Sequence, residues 1–224
     1  MHAVHARWRS YVMSADSATY WRTLFTQAVG VTRRWRAEQA RSEGVISAAA
    51  EFSSRLRTLS RPASIPAPLL ELPDAVTLLR AKHLRGLENI MAALRASVAT
   101  FAKLHTELAE LSAAAWSKHG GPGASSSATV VVVGAGRGLA EQQVLMPPPA
   151  QCLEWMGELD RLYCRELLLK TKLIEQLTHD APAEHVQQTI YLWLLQPNLR
   201  AAPLERLNAL AVSLTLTEPD EGDG

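Results

Sequence analysis

The chain reads as an all-α protein, an elongated antiparallel helical bundle built on a coiled-coil-like hairpin and continued by a C-terminal helical segment. Three observations carry that reading. Ala, Leu, Arg and Glu dominate and β-branched residues are scarce outside Thr129 to Val133, which favours helix. Apolar residues recur three and four apart over long stretches, the period of one helix face. Hydrophobic residues make up 47% and charged residues 20% of the 224, enough apolar surface for a core and too little charge for wholesale disorder.

The first helix begins near Asp16 or Ser17, whose short side chains suit an N-cap. Its apolar face holds Trp21, Leu24, Phe25, Ala28, Val31 and Trp35, then Ile46, Ala49, Phe52, Leu56 and Leu59, with a kink expected near Gly44. Pro62, Pro66, Pro68 and Pro73 end it, because proline has no amide to donate to a continuing helix. A second helix follows from about Pro73 to Ser117. Its heptad seam runs through Leu87, Ile90, Leu94, Phe101, Leu104, Leu108 and Leu111, with Ser97 as a polar misfit. Folding back on the first helix would bury the seam, and a partner's helix would do so equally well.

Residues 119–149 form a Gly/Ser/Pro-rich insertion or linker. A third helix is expected from about Ala150 to His179, a fourth from Pro182 to Leu195 and a short fifth from Pro203 to about Leu214. The domain reading is thus a flexible extension at 1–15, the hairpin at 16–118, the insertion at 119–149, a C-terminal helical region at 150–216 and an acidic tail at 217–224.

The formal net charge is +1, so no overall field draws the chain to nucleic acid or anionic membrane. Its distribution is uneven: Met1 to Arg61 holds ten Arg and four acids, and the last seven residues hold four acids. Cys152 and Cys164 lie twelve apart on one expected helix, a rise of roughly 18 Å and too far for a disulfide. No apolar run approaches the length of a membrane span. The first fifteen residues carry Arg7, Arg9 and no acid, a faint likeness to a mitochondrial transit segment, against which a flexible extension is preferred.

Chemistry-bearing motifs fail on spacing. Thr129 to Gly138 spells TVVVVGAGRG, but Leu139 stands where a dinucleotide fingerprint needs its third glycine. A low-complexity insertion is the better reading, with Val130 to Val133 at most an isolated edge strand. The seven histidines make no metal-binding spacing; His179, Asp180 and His185 merely straddle a turn. No catalytic, cofactor-binding or metal-binding residue is therefore expected, and the chain is read as no enzyme. Trp21 and Trp35 interleave with Arg22, Arg33, Arg34 and Arg36, which leaves a helical nucleic-acid-binding protein as the alternative function. Arg22 to Phe25 spells RTLF, a cyclin-docking motif that works only when extended and exposed.

The C-terminal block is the most specific wording in the chain. Tyr163 to Lys170 reads YCRELLLK, and Tyr191 to Pro197 reads YLWLLQP. Together they resemble the end of the CINP (cyclin-dependent-kinase-interacting protein) family, matched at Tyr163, Arg165, Glu166, Leu167, Leu168, Leu169, Lys170, Trp193, Leu194, Gln196 and Pro197. The resemblance implies an all-helical adaptor without an active site, nuclear and extending to the cytoplasm. It implies work in DNA replication, checkpoint signalling and cell-cycle control. It also implies a complex of AAA+ ATPase subunits with a similar helical ribosome maturation factor, and cyclin or cyclin-dependent kinase as further partners. Residues expected to face a partner are Tyr163, Glu166, Leu167, Lys170, Trp193, Leu194, Gln196 and Pro197. The Leu167 to Leu169 run spreads apolar groups over more than one helix face can bury. Glu166 and Lys170, four apart, would otherwise make only a simple intrahelical pair of about 0.2 to 0.5 kcal/mol.

Overall fold

A computed structural model describes residues 15–72, 74–120 and 147–199, with 205, 206 and 209. Every regular element among the described residues is helical. Helix α1 spans Ala15–Leu59, α2 is a single turn at Ala67–Leu70, α3 spans Ala75–His119, α4 spans Pro149–Gln176 and α5 spans Ala183–Leu195. The proline-rich break is more ordered than the sequence suggested. Pro62–Ser64 makes a 3-10 turn before α2, since proline is tolerated in a first helical turn, where its missing amide would have no partner. The nucleotide-turn and edge-strand readings at Thr129 to Gly138, the N-terminal extension and the acidic tail lie outside the described residues. So does the expected Pro203 to Leu214 helix, except that 205, 206 and 209 are helical.

Two compact units divide the chain. The first gathers described residues from Met1–Thr32, Glu107–Arg161 and Arg200–Gly224. Its core holds Trp21, Phe25, Leu108, Cys152 and Met156, all shielded from solvent. Trp21 lies stacked between Phe25, with ring centroids 5.6 Å apart, and His119 at 5.0 Å. Burial, helped by the Lys118 charge, lowers the pKa of the His119 ring. Lys118 caps the outer side of this cluster, its Nζ 3.7 Å from the centre of the Tyr20 ring. Leu24 and Phe25 of the RTLF stretch are helical and buried here.

The second unit comprises Arg33–Thr106 and Leu162–Leu199. Within it α1 and α3 run antiparallel, because contacts advance along one as they retreat along the other. Trp35 meets Phe101, Arg41 meets Ser97, and Phe52 covers Gly86. The seam residues Leu87, Leu94 and Phe101 are fully buried by the chain itself. Ser97, the misfit, keeps its hydroxyl satisfied by donating to the Ala93 carbonyl and accepting from Arg41. α4 adds Tyr163, Leu173 and Ile174 to this core, Leu177 adds to it just past the end of α4, and α5 adds Val186 and Trp193. Burial of this kind is worth about 1.5 to 3 kcal/mol per large apolar side chain.

Candidate functional site: a polar latch on the C-terminal block

The block singled out by its wording forms one connected site in the second unit. α5 stops at Gln196, which takes a left-handed backbone conformation (φ 46°, ψ 60°) with its amide bonded back to the Leu192 carbonyl. Pro197 cannot extend the helix. A non-glycine residue in that conformation costs about 1 to 2 kcal/mol, and a helix end leaves carbonyls without intrahelical partners. Side chains from α1 and α4 meet both needs. The Trp193 carbonyl accepts from Gln39 Nε2 at 3.0 Å and from Lys170 Nζ at 3.2 Å. Gln196 Oε1 accepts from Trp35 Nε1 at 3.1 Å, which holds the turn in place.

Lys170 is the centre of the arrangement. Its ammonium is fully buried, donates to Gln39 Oε1 at 2.7 Å and lies 3.7 Å from Glu166 Oε1. It sits 4.2 Å from the centre of the Trp193 ring and 5.2 Å from that of Phe101, where a desolvated cation gains about 2 kcal/mol from each well-placed ring face. Its position at the end of α5 also complements the negative pole of that helix. Burial still dominates: it pulls the Lys170 pKa down to about 8, against the opposing carboxylates of Glu166 and Glu43.

Glu166, also fully buried, turns its other oxygen to the chain after α5. Glu166 Oε2 accepts from the Asn198 backbone amide at 3.1 Å and from Asn198 Nδ2 at 3.2 Å. Trp193 completes the ring of bonds by donating Nε1 to Ser42 Oγ at 3.0 Å. Edge-on contacts of Trp35 with Tyr163, centroids 4.8 Å apart, and of Phe101 with Trp193 at 6.2 Å enclose the polar groups. Two buried polar atoms of the site, the Tyr163 hydroxyl and Glu166 Oε1, have no hydrogen-bond partner among the described residues, and Glu166 Oε1 has only the 3.7 Å ion-pair contact with Lys170. Tyr163 is enclosed as deeply as the ion pair. Burial raises its pKa, with the Arg36 charge acting in the opposite direction.

The eight residues expected to face a partner therefore divide. Tyr163, Glu166, Lys170 and Trp193 turn inward and spend their hydrogen bonds and ring faces on this chain. Glu166 and Lys170 do pair within α4 at 3.7 Å, but the pair is fully buried because α1 and α5 close over it, so it is more than a simple intrahelical pair. Leu167 and Gln196 are half-buried, Leu194 is 40% exposed and Pro197 is exposed. Of the leucine run, Leu168 stays 59% exposed while Leu167 and Leu169 are partly covered.

Gln39, Ser42 and Asn198 were missed. The signal was present: Trp35, Gln39, Ser42 and Ile46 are spaced four, three and four, so two polar residues occupy core positions of α1. Buried polar side chains at a helix's core positions call for partners. Trp21 and Trp35, the stacking half of the nucleic-acid reading, are both fully buried.

The C-terminal turn of α5 leaves an apolar surface outside the latch. On α5, Tyr191, Leu194 and Leu195 are 62%, 40% and 53% exposed, and their spacing places them on one face. Among the described residues, no helix is long and apolar enough to cross a membrane. The profile of the family described as CA109-like, Ribosome biogenesis protein C1orf109-like, matches residues 16–210. No curated protein matches the chain.

Proposed function

The chain belongs to the C1orf109-like family of ribosome biogenesis proteins, and on that premise we propose that it is a non-enzymatic helical adaptor in ribosome maturation. Its partners in this proposal are AAA+ ATPase subunits and a second helical maturation factor, and it acts in the nucleus with a cytoplasmic fraction. One observation carries the adaptor reading. The latch consumes Tyr163, Glu166, Lys170 and Trp193 of the C-terminal block, while α5 presents Tyr191, Leu194 and Leu195 to solvent. Apolar residues at i, i+3 and i+4 suit docking to a helix or an apolar groove.

The likeness to the CINP family supports a related architecture, because Glu166, Lys170, Trp193 and Gln196 are the latch itself. Residues that close a fold carry the fold from one protein to another more readily than they carry a partner. Roles in DNA replication, checkpoint signalling, cell-cycle control and cyclin-dependent kinase binding rest on that likeness alone, and they stand second here.

Affinity purification of the full chain from cells, with mass spectrometry of what accompanies it, tests the proposal. Recovery with pre-ribosomal proteins and an AAA+ ATPase is expected. Recovery as a monomer with neither contradicts it.

A further inference from the structure

In the second unit, the end of α1, the start of α3 and the turn before α5 surround an open pocket of about 290 Å³. Arg57, Arg61 and Arg80 line it together with His179, and Asp180 is the one acid among its lining residues. His179 Nε2 lies 3.8 Å from Glu88 Oε1, so that carboxylate is directed at the histidine. Arg57 is tethered by a long hydrogen bond of 3.5 Å from Nη1 to the Ala181 carbonyl. Among the described residues, neither Arg61 nor Arg80 takes part in an ion pair, and Asp180 takes part in none. Three arginines thus meet around one cavity that has a single carboxylate among its lining residues, with Glu88 turned to His179.

From this arrangement we infer that the pocket is a site for phosphate groups, and that the ligand bearing them is the backbone of single-stranded RNA. Guanidinium forks match the oxygens of a phosphate in pairs, which an isolated ammonium cannot do. No Phe, Tyr or Trp lines the pocket, so recognition there rests on charge more than on base stacking. Arg57, Arg61 and Arg80 place three cationic side chains around one cavity, which suits a polyanion with successive phosphates more than a single phosphorylated side chain. The choice of RNA rests on the ribosome-maturation reading; the phosphate chemistry does not.

The test is a titration of the full chain with a short, mixed-sequence, fluorescent single-stranded RNA over a range of salt. The double variant Arg61→Gln/Arg80→Gln is compared with Arg33→Gln/Arg165→Gln, which removes the same charge from exposed positions outside the pocket. Each phosphate contact contributes about 0.7 to the slope of log affinity against log salt. The pocket variant should therefore lower that slope by about 1.4 and weaken binding about 25-fold at roughly 0.1 M salt. Equal weakening by both variants would leave only diffuse charge and overturn the site, as would no weakening by either. A phosphoserine peptide that binds the pocket when RNA does not would overturn the RNA assignment. A chain that fails this titration yet still purifies with pre-ribosomal proteins loses the site and keeps the proposed function.

Discussion

Replacing Lys170 by Met tests the latch where its energy is concentrated. Met keeps the length and the apolar stem of lysine and removes the ammonium. The variant loses the 2.7 Å bond to Gln39, the 3.2 Å bond to the Trp193 carbonyl and the charge over the Trp193 ring. It also leaves the Glu166 carboxylate buried with Asn198 as its remaining hydrogen-bond partner among the described residues. Removing one member of a buried ion pair costs about 3 to 5 kcal/mol. In a chain of this size that is a fall in melting temperature on the order of 10 °C, at roughly 2 to 4 °C per kcal/mol. Adding Glu166→Gln removes the stranded charge and keeps an acceptor for Asn198, so the double variant should recover about 2 kcal/mol or more. Urea unfolding followed by tryptophan fluorescence reads both, since Trp35 and Trp193 lie inside the latch. Lys170→Met within about 1 kcal/mol of the parent, or a double variant equal to the sum of the singles, would refute the reasoning.

Alkaline pH should separate Lys170 from the rest. Its folded pKa lies below its unfolded value, so between about 8 and 10.5 the unfolded chain binds more protons and stability rises with pH. The rise is at most about 3 kcal/mol and should vanish in Lys170→Met; a parent and variant with parallel stability curves over that window would contradict it. Cys152 opposes the trend, because burial pushes its thiol up to about 12 and that contribution is lost from about pH 9 upward. The same burial makes Cys152 inert: one thiol, half-exposed Cys164, should react with a thiol reagent in the native chain and two in denaturant, and labelling of both in the native chain would contradict this. Tyr163→Phe removes a buried hydroxyl without a partner among the described residues, and should leave stability unchanged or raise it by up to about 1 kcal/mol. A loss above 1 kcal/mol in urea unfolding would reveal a partner. Gly86→Ala places a methyl against the Phe52 ring and should cost about 1 to 3 kcal/mol; a melting temperature equal to the parent's would mean that the half-buried ring swings aside freely.

Helices were legible because their apolar spacing is regular. Trp21 through Leu56 and Leu87 through Leu108 sit where the period put them, and nearly all are buried. The site was legible as wording and not as geometry. Glu166 and Lys170 four apart look the same on paper whether exposed or enclosed, and only the return of α5 decides between them. That return depends on Gln39 and Ser42, more than 120 residues earlier in the chain, and on a left-handed turn at a residue that is not glycine. Neither long-range partners nor that turn leaves a local pattern. The apolar stripe of α5 was half visible: Leu194 was picked out, whereas Tyr191 and Leu195 emerge only once Trp193 is known to face inward.

In the proposed function, α5 has one face that closes the fold and an exposed face, Tyr191, Leu194 and Leu195, for a partner. Tyr191→Lys/Leu195→Lys measures that division most directly, because lysine near a helix C-terminus complements the dipole and carries no penalty there. The full-chain variant should melt within a few degrees of the parent and, on affinity purification, lose the helical partner and the ATPase. A variant that retains both partners at parental yield would contradict the account.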